Sequence, residues 1–423
     1  MERCNTVAVL GCGSRGNVYI HELSRYAGRG IRITAVCDIN TGRAEKTLKM
    51  NGVEAKIYGS DDEFFAAGRL ADVLIIATQD KDHYGHAKKA LELGYHLLLE
   101  KPVARTEEQM RELADMARER GRFVLVSHVL RYAPFYQEIA RVIRSGEMGE
   151  IVDVNITENV AFWHFAHSYV RGPWRSTRES APLVLAKCSH DFDLLCWFVG
   201  PGCAEVKSVG SRTVFREESA PEGSGTYCLR DCAIREQCPY DAAKTYFQRA
   251  SNGQPVLKWT YTQITGNPDA TEDDVLAALK TSPYGRCVYR TDNDVCDHQV
   301  VAMRWKNGAT ATLTINPFSN DCYRRIAVHG TKGELFGCDE DNCFTLNTFL
   351  GLKSRQVRVD VEQSSTSGHL GGDAGIVQTL VGLMCGDDVD ESLLTTLDTT
   401  LTSHHIGFGA EKSRLEQGAS VVL

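Results

Sequence analysis

The 423-residue chain reads as an α/β protein in two parts: an N-terminal doubly wound parallel sheet, then an α+β region on an open, mostly antiparallel sheet. Three observations predict this. Up to residue 128, short apolar strands alternate with amphipathic helical stretches, the order that gives a parallel sheet covered on both faces. Beyond it the pattern turns to two-residue alternation with turn signals such as Lys306-Asn307-Gly308, as in hairpin-joined strands. The length also exceeds what one ordinary core fills.

In the first part, Val7–Leu10, Ile33–Cys37, Val73–Ala77, Tyr95–Leu99 and Phe123–Ser127 are the expected strands, and the segments between them are crossovers. The first strand breaks into Gly11-Cys12-Gly13-Ser14-Arg15-Gly16 and then into a helical pattern. In such a G-x-G-x-x-G, Gly11 permits the tight turn, Gly13 lets backbone N–H groups approach a pyrophosphate, and Gly16 lets the helix close onto the sheet. The helix N-terminus turns its unpaired donors and positive dipole end to the phosphates. The second strand ends in Asp38, a carboxylate placed to accept adenosine ribose hydroxyls. It favours NAD because it repels a 2′-phosphate, while Arg43 keeps NADP open. Singly, the glycines make a turn and Asp38 a helix cap; in this order they make a dinucleotide site. Glu100-Lys101-Pro102 follows the strand Tyr95–Leu99 at the carboxyl edge of the sheet, where open α/β sheets bind ligands. The plainer reading is a polar turn in which Pro102 stops the ladder.

In the second part the expected strands are Ile151–Val160, Glu205–Thr213, Cys287–Arg290, Val295–Trp305, Thr310–Ile315, Tyr323–Gly330 and Gly333–Gly337, with helices at Gly375–Cys385 and Leu393–Leu415. An insertion over 215–285 breaks the rhythm and reads as a partly helical lid. It carries Cys228, Cys232 and Cys238, with Cys287 and Cys296 further on. Cys228, Cys232, Cys238 and Cys287 could hold a structural zinc or, as a further reading, an iron–sulfur cluster. Their spacing matches no standard knuckle, and free thiols or a disulfide are the alternatives. The other cysteines are scattered, several within apolar runs, which fits a reducing cytoplasm. The net charge of −8 excludes a general nucleic-acid or anionic-membrane binder. No apolar run approaches the roughly 20 residues that span a bilayer, and Met1–Asn5 pass at once into the first strand, leaving no room for a signal peptide.

Gly11 to Gly16, Ala77-Thr78 with His83, and Glu100-Lys101-Pro102, in that order, resemble the Gfo/Idh/MocA oxidoreductases, NAD(P)-dependent enzymes acting mostly on sugars, inositols and their derivatives. The resemblance continues through His128-Val129-Leu130-Arg131-Tyr132 to Glu411-Lys412-Ser413-Arg414 and covers almost the whole chain. It implies a Rossmann domain over 1–128 and an α/β domain over 129–423 that binds substrate and assembles the subunits, as a dimer or tetramer, through an exposed sheet face. The residues it places at the cofactor are Gly11, Gly13, Ser14, Arg15, Gly16, Asp38, Thr78, His83, Glu100 and Lys101, with Lys101 also beside the substrate hydroxyl.

The chain departs from the family pattern at Ala186-Lys187-Cys188-Ser189-His190-Asp191-Phe192-Asp193. Members often carry an Asp four residues before the His; here Ala186 stands in its place, while His190 and Asp193 match. His190 is the expected acid/base, its ordinary pKa near 6.5 suiting proton transfer at neutral pH. Lys187, three residues away and on the same helical face, is the substitute orienting or acidic group. The alternatives are a helix histidine satisfied by Asp191 or Asp193 and a solvated lysine. The segment from Trp163 to Arg178 is rich in aromatic and arginine side chains that hold polyols or acids. His167, Arg171 and Trp174 are the expected substrate contacts there, with Arg131 and Tyr132 close to Lys101; packing on the first domain is the alternative. His369-Leu370-Gly371-Gly372-Asp373 is a polar rim or a helix cap.

The expected activity is NAD-dependent hydride transfer at a secondary alcohol or ketone of a sugar. A second reading keeps the cofactor but cleaves glycosides by transient C3 oxidation and elimination. A third is a non-catalytic NAD-binding sensor, which Lys101 and His190 argue against.

Overall fold

A computed structural model describes residues 5–248, 257–361 and 369–423. Strands β1 (Thr6–Leu10), β2 (Arg32–Cys37), β3 (Lys56–Tyr58), β4 (Val73–Ile76), β5 (His96–Leu99) and β6 (Val124–Val126) form one sheet in the order β3-β2-β1-β4-β5-β6, every pair parallel. Val7, Ala8 and Val9 of β1 and all of β4 are wholly buried, as a sheet with helices on both faces requires. The strand order reverses between β1 and β4, opening a crevice at their carboxyl ends. β3 escaped the sequence reading because three residues, one of them an exposed lysine, carry no legible alternation.

The second sheet comprises β7 (Ile151–Ala161), β8 (Cys203–Ser211), β9 (His298–Trp305), β10 (Thr310–Ser319), β11 (Tyr323–Gly330), β12 (Gly333–Cys338), β13 (Cys343–Thr348), β14 (Lys353–Arg358) and β15 (Val421–Val422). Their order is β14-β13-β12-β11-β7-β10-β9-β8-β15, and the pairs are antiparallel except β7 with β10. β9 shows the expected alternation, with Val301, Met303 and Trp305 buried and Val300 exposed. β14 was missed because it is a polar edge strand with hardly a buried side chain. Cys287–Arg290 is a turn rather than the expected strand. Its apolar residues are buried all the same, by tertiary packing in the main core of the second part.

The helix Leu183–Val199 is apolar nearly all round because it lies between the second sheet and the helix Leu397–Leu415. The helix Gly372–Cys385 returns to the first sheet: Ile376, Val377, Leu380, Val381 and Met384 share one apolar cluster with Val7, Val9, Tyr19 and Leu125. Residues far beyond position 129 therefore complete the first core. The insertion holds short helices at Ala242–Phe247, Tyr261–Thr265 and Glu272–Ala278 around a small core with Cys228, Tyr246, Leu257 and Val275. Among the described residues no helix is long and apolar enough to cross a membrane.

Candidate active site

The glycine loop is shaped as its sequence predicts. Gly11 has φ +94°, and a Cβ there would lie 2.5 Å from the Ala77 carbonyl oxygen; at Gly16 it would lie 1.8 Å from the Gly11 oxygen. A Cβ at Gly13 meets nothing within 4 Å. That open side faces the start of the helix Ser14–Ser24, whose N-cap, Gly13, supplies no side-chain acceptor. The loop and helix end thus fit a pyrophosphate, with backbone N–H groups unclaimed by the chain. Asp38 is buried and its acceptor sites are in use: Oδ2 takes the Cys12 N–H (2.8 Å) and Arg43 Nε (3.1 Å), Oδ1 the Asn40 N–H (2.8 Å) and Arg43 Nη2 (2.6 Å). A ribose can reach it only when Arg43 gives way.

Two residues expected at the cofactor brace the crevice instead. His83 is buried, bonding the Pro102 carbonyl through Nδ1 (2.7 Å) and the Thr78 carbonyl through Nε2 (3.2 Å), so it ties the loops after β4 and β5 together. Glu100 accepts from Arg15 Nε (2.6 Å), Tyr19 Oη (2.6 Å), Ser127 Oγ (2.7 Å) and the Lys101 N–H (3.2 Å). Arg15 also pairs with Asp373 (2.6 Å), which bonds His369 Nδ1 (2.9 Å). The Asp373 loop is accordingly part of the site, locked to the glycine loop through Arg15.

Lys101 and His190 converge beside this network. The Lys101 ammonium donates to the Ala186 carbonyl at 2.6 Å, so the residue standing in place of the family's acid holds the lysine through its backbone. Burial, Lys187 and Arg15 lower the Lys101 pKa against the opposing pull of Asp80 and Glu100. His190 is 7 % exposed, and burial, with Lys101 next, pushes its pKa well down, so the ring is neutral. Lys187 points elsewhere, 3.1 Å from Glu158. Burial opposes its charge, but Glu158 outweighs that and raises its pKa, which favours the ammonium form. Arg324 completes the cluster, 2.7 Å from both Glu158 and Asp191.

Several expected substrate contacts are packing residues. His167 is fully buried, bonded to Tyr246 and Gln263 at 3.0 Å each and stacked on Tyr284. Arg171 is buried and donates to the carbonyls of Arg286 (2.8 Å) and Tyr240 (2.7 Å). These two, four residues apart, share the face that anchors the insertion. Arg131 is locked to Asp193 (2.9 and 2.6 Å), and the Tyr132 hydroxyl to Thr395 (3.0 Å). Trp174 donates to Asp80 at 3.0 Å. Of the rest of the segment, His164 is half-buried, and Tyr169 is buried and stacked on Phe165. Both feel the Lys187 charge, His164 that of Lys101 and Tyr169 that of Asp80. The turn Ala166–Arg171 is a π-helix, in which residues five apart stack, a feature frequent at functional sites. Helical spacing alone could separate the two faces but not say which one anchors the insertion.

The cysteine cluster does not assemble a metal site. Cys228, Cys232, Cys238 and Cys287 are free thiols, and among the described residues no group of three or more His, Cys, Asp or Glu is placed to hold a metal ion. Cys228 lies in the insertion core with Arg171 Nη2 3.7 Å from its sulfur.

The insertion reaches the far end of the dinucleotide groove. Asn40 Nδ2 donates to the Gly266 carbonyl (2.9 Å), and Lys46 Nζ contacts the Pro268 carbonyl and Asp269, each at 2.5 Å. Near the other end, Trp259, 44 % exposed, stands 5.9 Å from the His164 ring.

This combination of a doubly wound NAD fold, a lysine at the sheet edge and a helix histidine defines an oxidoreductase class, and comparison with known proteins agrees. Residues 5–128 match the oxidoreductase family's NAD-binding Rossmann fold and residues 140–367 its C-terminal alpha/beta domain. The chain belongs to the Gfo/Idh/MocA oxidoreductase family. It is 30 % identical over 246 residues to an inositol 2-dehydrogenase/D-chiro-inositol 3-dehydrogenase of Lactiplantibacillus plantarum, covering 56 % of this chain and 67 % of that one. With an inositol 2-dehydrogenase of Burkholderia cenocepacia it shares 29 % identity over 204 residues, 48 % of this chain and 57 % of that enzyme's length. A levoglucosan dehydrogenase solved with NADH and levoglucosan has the same fold, with TM-score 0.67, 17 % identity and 99 % of both chains covered.

Proposed function

We propose that the protein is an NAD-dependent dehydrogenase or reductase acting on a secondary alcohol or ketone of a sugar or cyclic polyol. One observation carries the reading: Lys101 and His190 meet beside the glycine loop, with the Lys101 ammonium 2.6 Å from the carbonyl one helical turn before His190. NAD, when bound, supplies the hydride acceptor beside Lys101. Gly11 to Gly16, Ser14 and the helix start hold its phosphates, and Asp38, shared with Arg43, its ribose. Neutral His190 takes the hydroxyl proton in oxidation and returns it in reduction. Lys101 orients the substrate oxygen and stabilises negative charge on it. Exposed Trp259 offers a ring face to sugar C–H groups. The inositol dehydrogenases and levoglucosan dehydrogenase among the relatives support this substrate class.

The contacts of Asn40 and Lys46 with the insertion favour a second reading. A strap over the adenosine end slows exchange of the cofactor, and a retained cofactor suits redox-neutral glycoside cleavage. One experiment separates them: the purified protein with NAD is offered myo-inositol, levoglucosan, sugar acids and p-nitrophenyl glycosides, following absorbance at 340 nm and nitrophenol release. Net NADH supports the dehydrogenase, nitrophenol without net NADH the glycosidase, and neither from any compound despite tight NAD binding leaves the sensor.

A further inference from the structure

Behind His190 the fold encloses imidazole nitrogens that no described residue satisfies. His190 makes no hydrogen bond among the described residues, and its Nδ1 is sealed and unpaired. It is therefore Nε2 that reaches the cleft. His128, wholly buried, stands edge-on to it with ring centres 5.9 Å apart, and His404, also wholly buried, lies 5.6 Å beyond. Among the described residues both nitrogens of His128 are buried without a partner, while His404 keeps a backbone contact with Thr400. Such orphans are costly, and proteins relieve the cost with internal water held by two to four polar groups.

We infer that internal water bridges His190 Nδ1 to His128, and that through this bridge His128 is a positioning residue fixing the His190 tautomer, Nδ1 protonated and Nε2 free toward the cleft. The inference rests on the reading of His190 as the acid/base. The polarity follows from the surrounding charges. Lys101, His128, His369 and Arg324 face His190, and the Lys101 ammonium, held on the Ala186 carbonyl, favours a lone pair over an N–H on the ring nitrogen not enclosed by the fold. Asp193, Arg131, Lys101 and Glu100 face His128 together with the two histidine rings, and burial above all holds it neutral, with its pKa down to about 4. A neutral ring offers one donor and one acceptor, so His128 can accept from the bridging water. When the substrate O–H bond breaks, its proton bonds to Nε2. The Nδ1–H stays on the ring, and the positive charge is spread into the water and His128. No other reactant is needed.

The test reads the tautomer directly, without a substrate. In the full-length protein labelled with [15N]histidine and saturated with NAD, long-range 1H–15N spectra, with His190 assigned by its loss in His190→Gln, are expected to show the Nδ1–H form. His128→Phe, which keeps a ring but no nitrogen, is expected to move His190 to the Nε2–H form, and His128→Gln to retain the wild-type state. With a turned-over substrate, His128→Phe lowers kcat about tenfold, leaves KM unchanged and shifts the acid limb of the pH profile. An Nε2–H tautomer in the wild type, or an unchanged tautomer in NAD-binding His128→Phe, overturns the inference. If His128→Phe does not fold, the wild-type tautomer and His128→Gln still decide it. A wrong substrate class leaves these spectra untouched, so the two failures are distinguishable.

Discussion

Glu100→Gln removes one charge from the network that joins the glycine loop to the catalytic edge. Glu100 is buried and accepts four hydrogen bonds, two of them, from Arg15 and Tyr19, at 2.6 Å. Burial by itself raises its pKa, but Arg15, Tyr19 and Ser127 together pull it from 4.5 to about 2. That drop corresponds to about 3 kcal/mol of native stabilisation, since one pKa unit is about 1.4 kcal/mol. The contribution is complete above pH 4.5, where the unfolded chain is also ionised, and is lost as pH falls through about 2. A glutamine cannot pair with the Arg15 charge, and its amide N–H groups confront the donors that Glu100 now accepts. Breaking one side of a buried pair typically costs about 3–5 kcal/mol, the same size. Urea unfolding of the NAD-free wild type and variant is expected to differ by about 3 kcal/mol at pH 7 and pH 4.5 and by less at pH 3. A gap below about 1 kcal/mol at pH 7, or one that stays constant down to pH 3, would refute this account of the network.

Four further outcomes are expected. Lys101→Met lowers kcat about 10²–10⁴-fold while NAD binding, measured by fluorescence titration, is retained; full turnover in this variant rules out a proton-handling or orienting role. Asp38→Ala weakens NAD about tenfold, about the worth of one charge-assisted hydrogen bond, and narrows the preference over NADP; an unaltered NAD/NADP ratio in binding assays contradicts the reading of Asp38. The double variant Asn40→Ala/Lys46→Ala releases NAD about five- to tenfold faster in stopped flow, because it cuts both ties to residues 266–269 at a cost of about 1 kcal/mol. An unchanged rate shows that the strap does not hold the cofactor. His167→Ala leaves KM unchanged but lowers the melting temperature, since it empties a fully buried site stacked on Tyr284; a raised KM with unchanged stability restores it to the substrate.

Both sheets were legible because their signals are local. Continuous apolar runs marked the parallel strands, two-residue alternation the antiparallel ones, and glycines at 11, 13 and 16 the phosphate loop. β3, β13, β14 and β15 were not: β3 and β15 are too short and β14 too polar to show a period, and β13, though it alternates, went unread. Lys101 and His190 were found because each belongs to a motif with a fixed place on its element. His167 and Arg171 were chosen over His164 and Tyr169 from one stretch of similar chemistry, and nothing local separates the pairs. The insertion packs His167 and Arg171 inward.

The sequence by itself determined the two-sheet architecture and the glycine loop, since strand periodicity, turn glycines and motif order are properties of neighbours along the chain. Only the tertiary structure decided what surrounds them. Arg15 is joined to Asp373, Lys187 is bound by Glu158, Ala186 holds Lys101 through its carbonyl, and His128 stands behind His190. Each of these depends on charges, burial and faces brought together across distant segments, and the balance of desolvation against pairing that sets their chemistry exists only once the chain is folded.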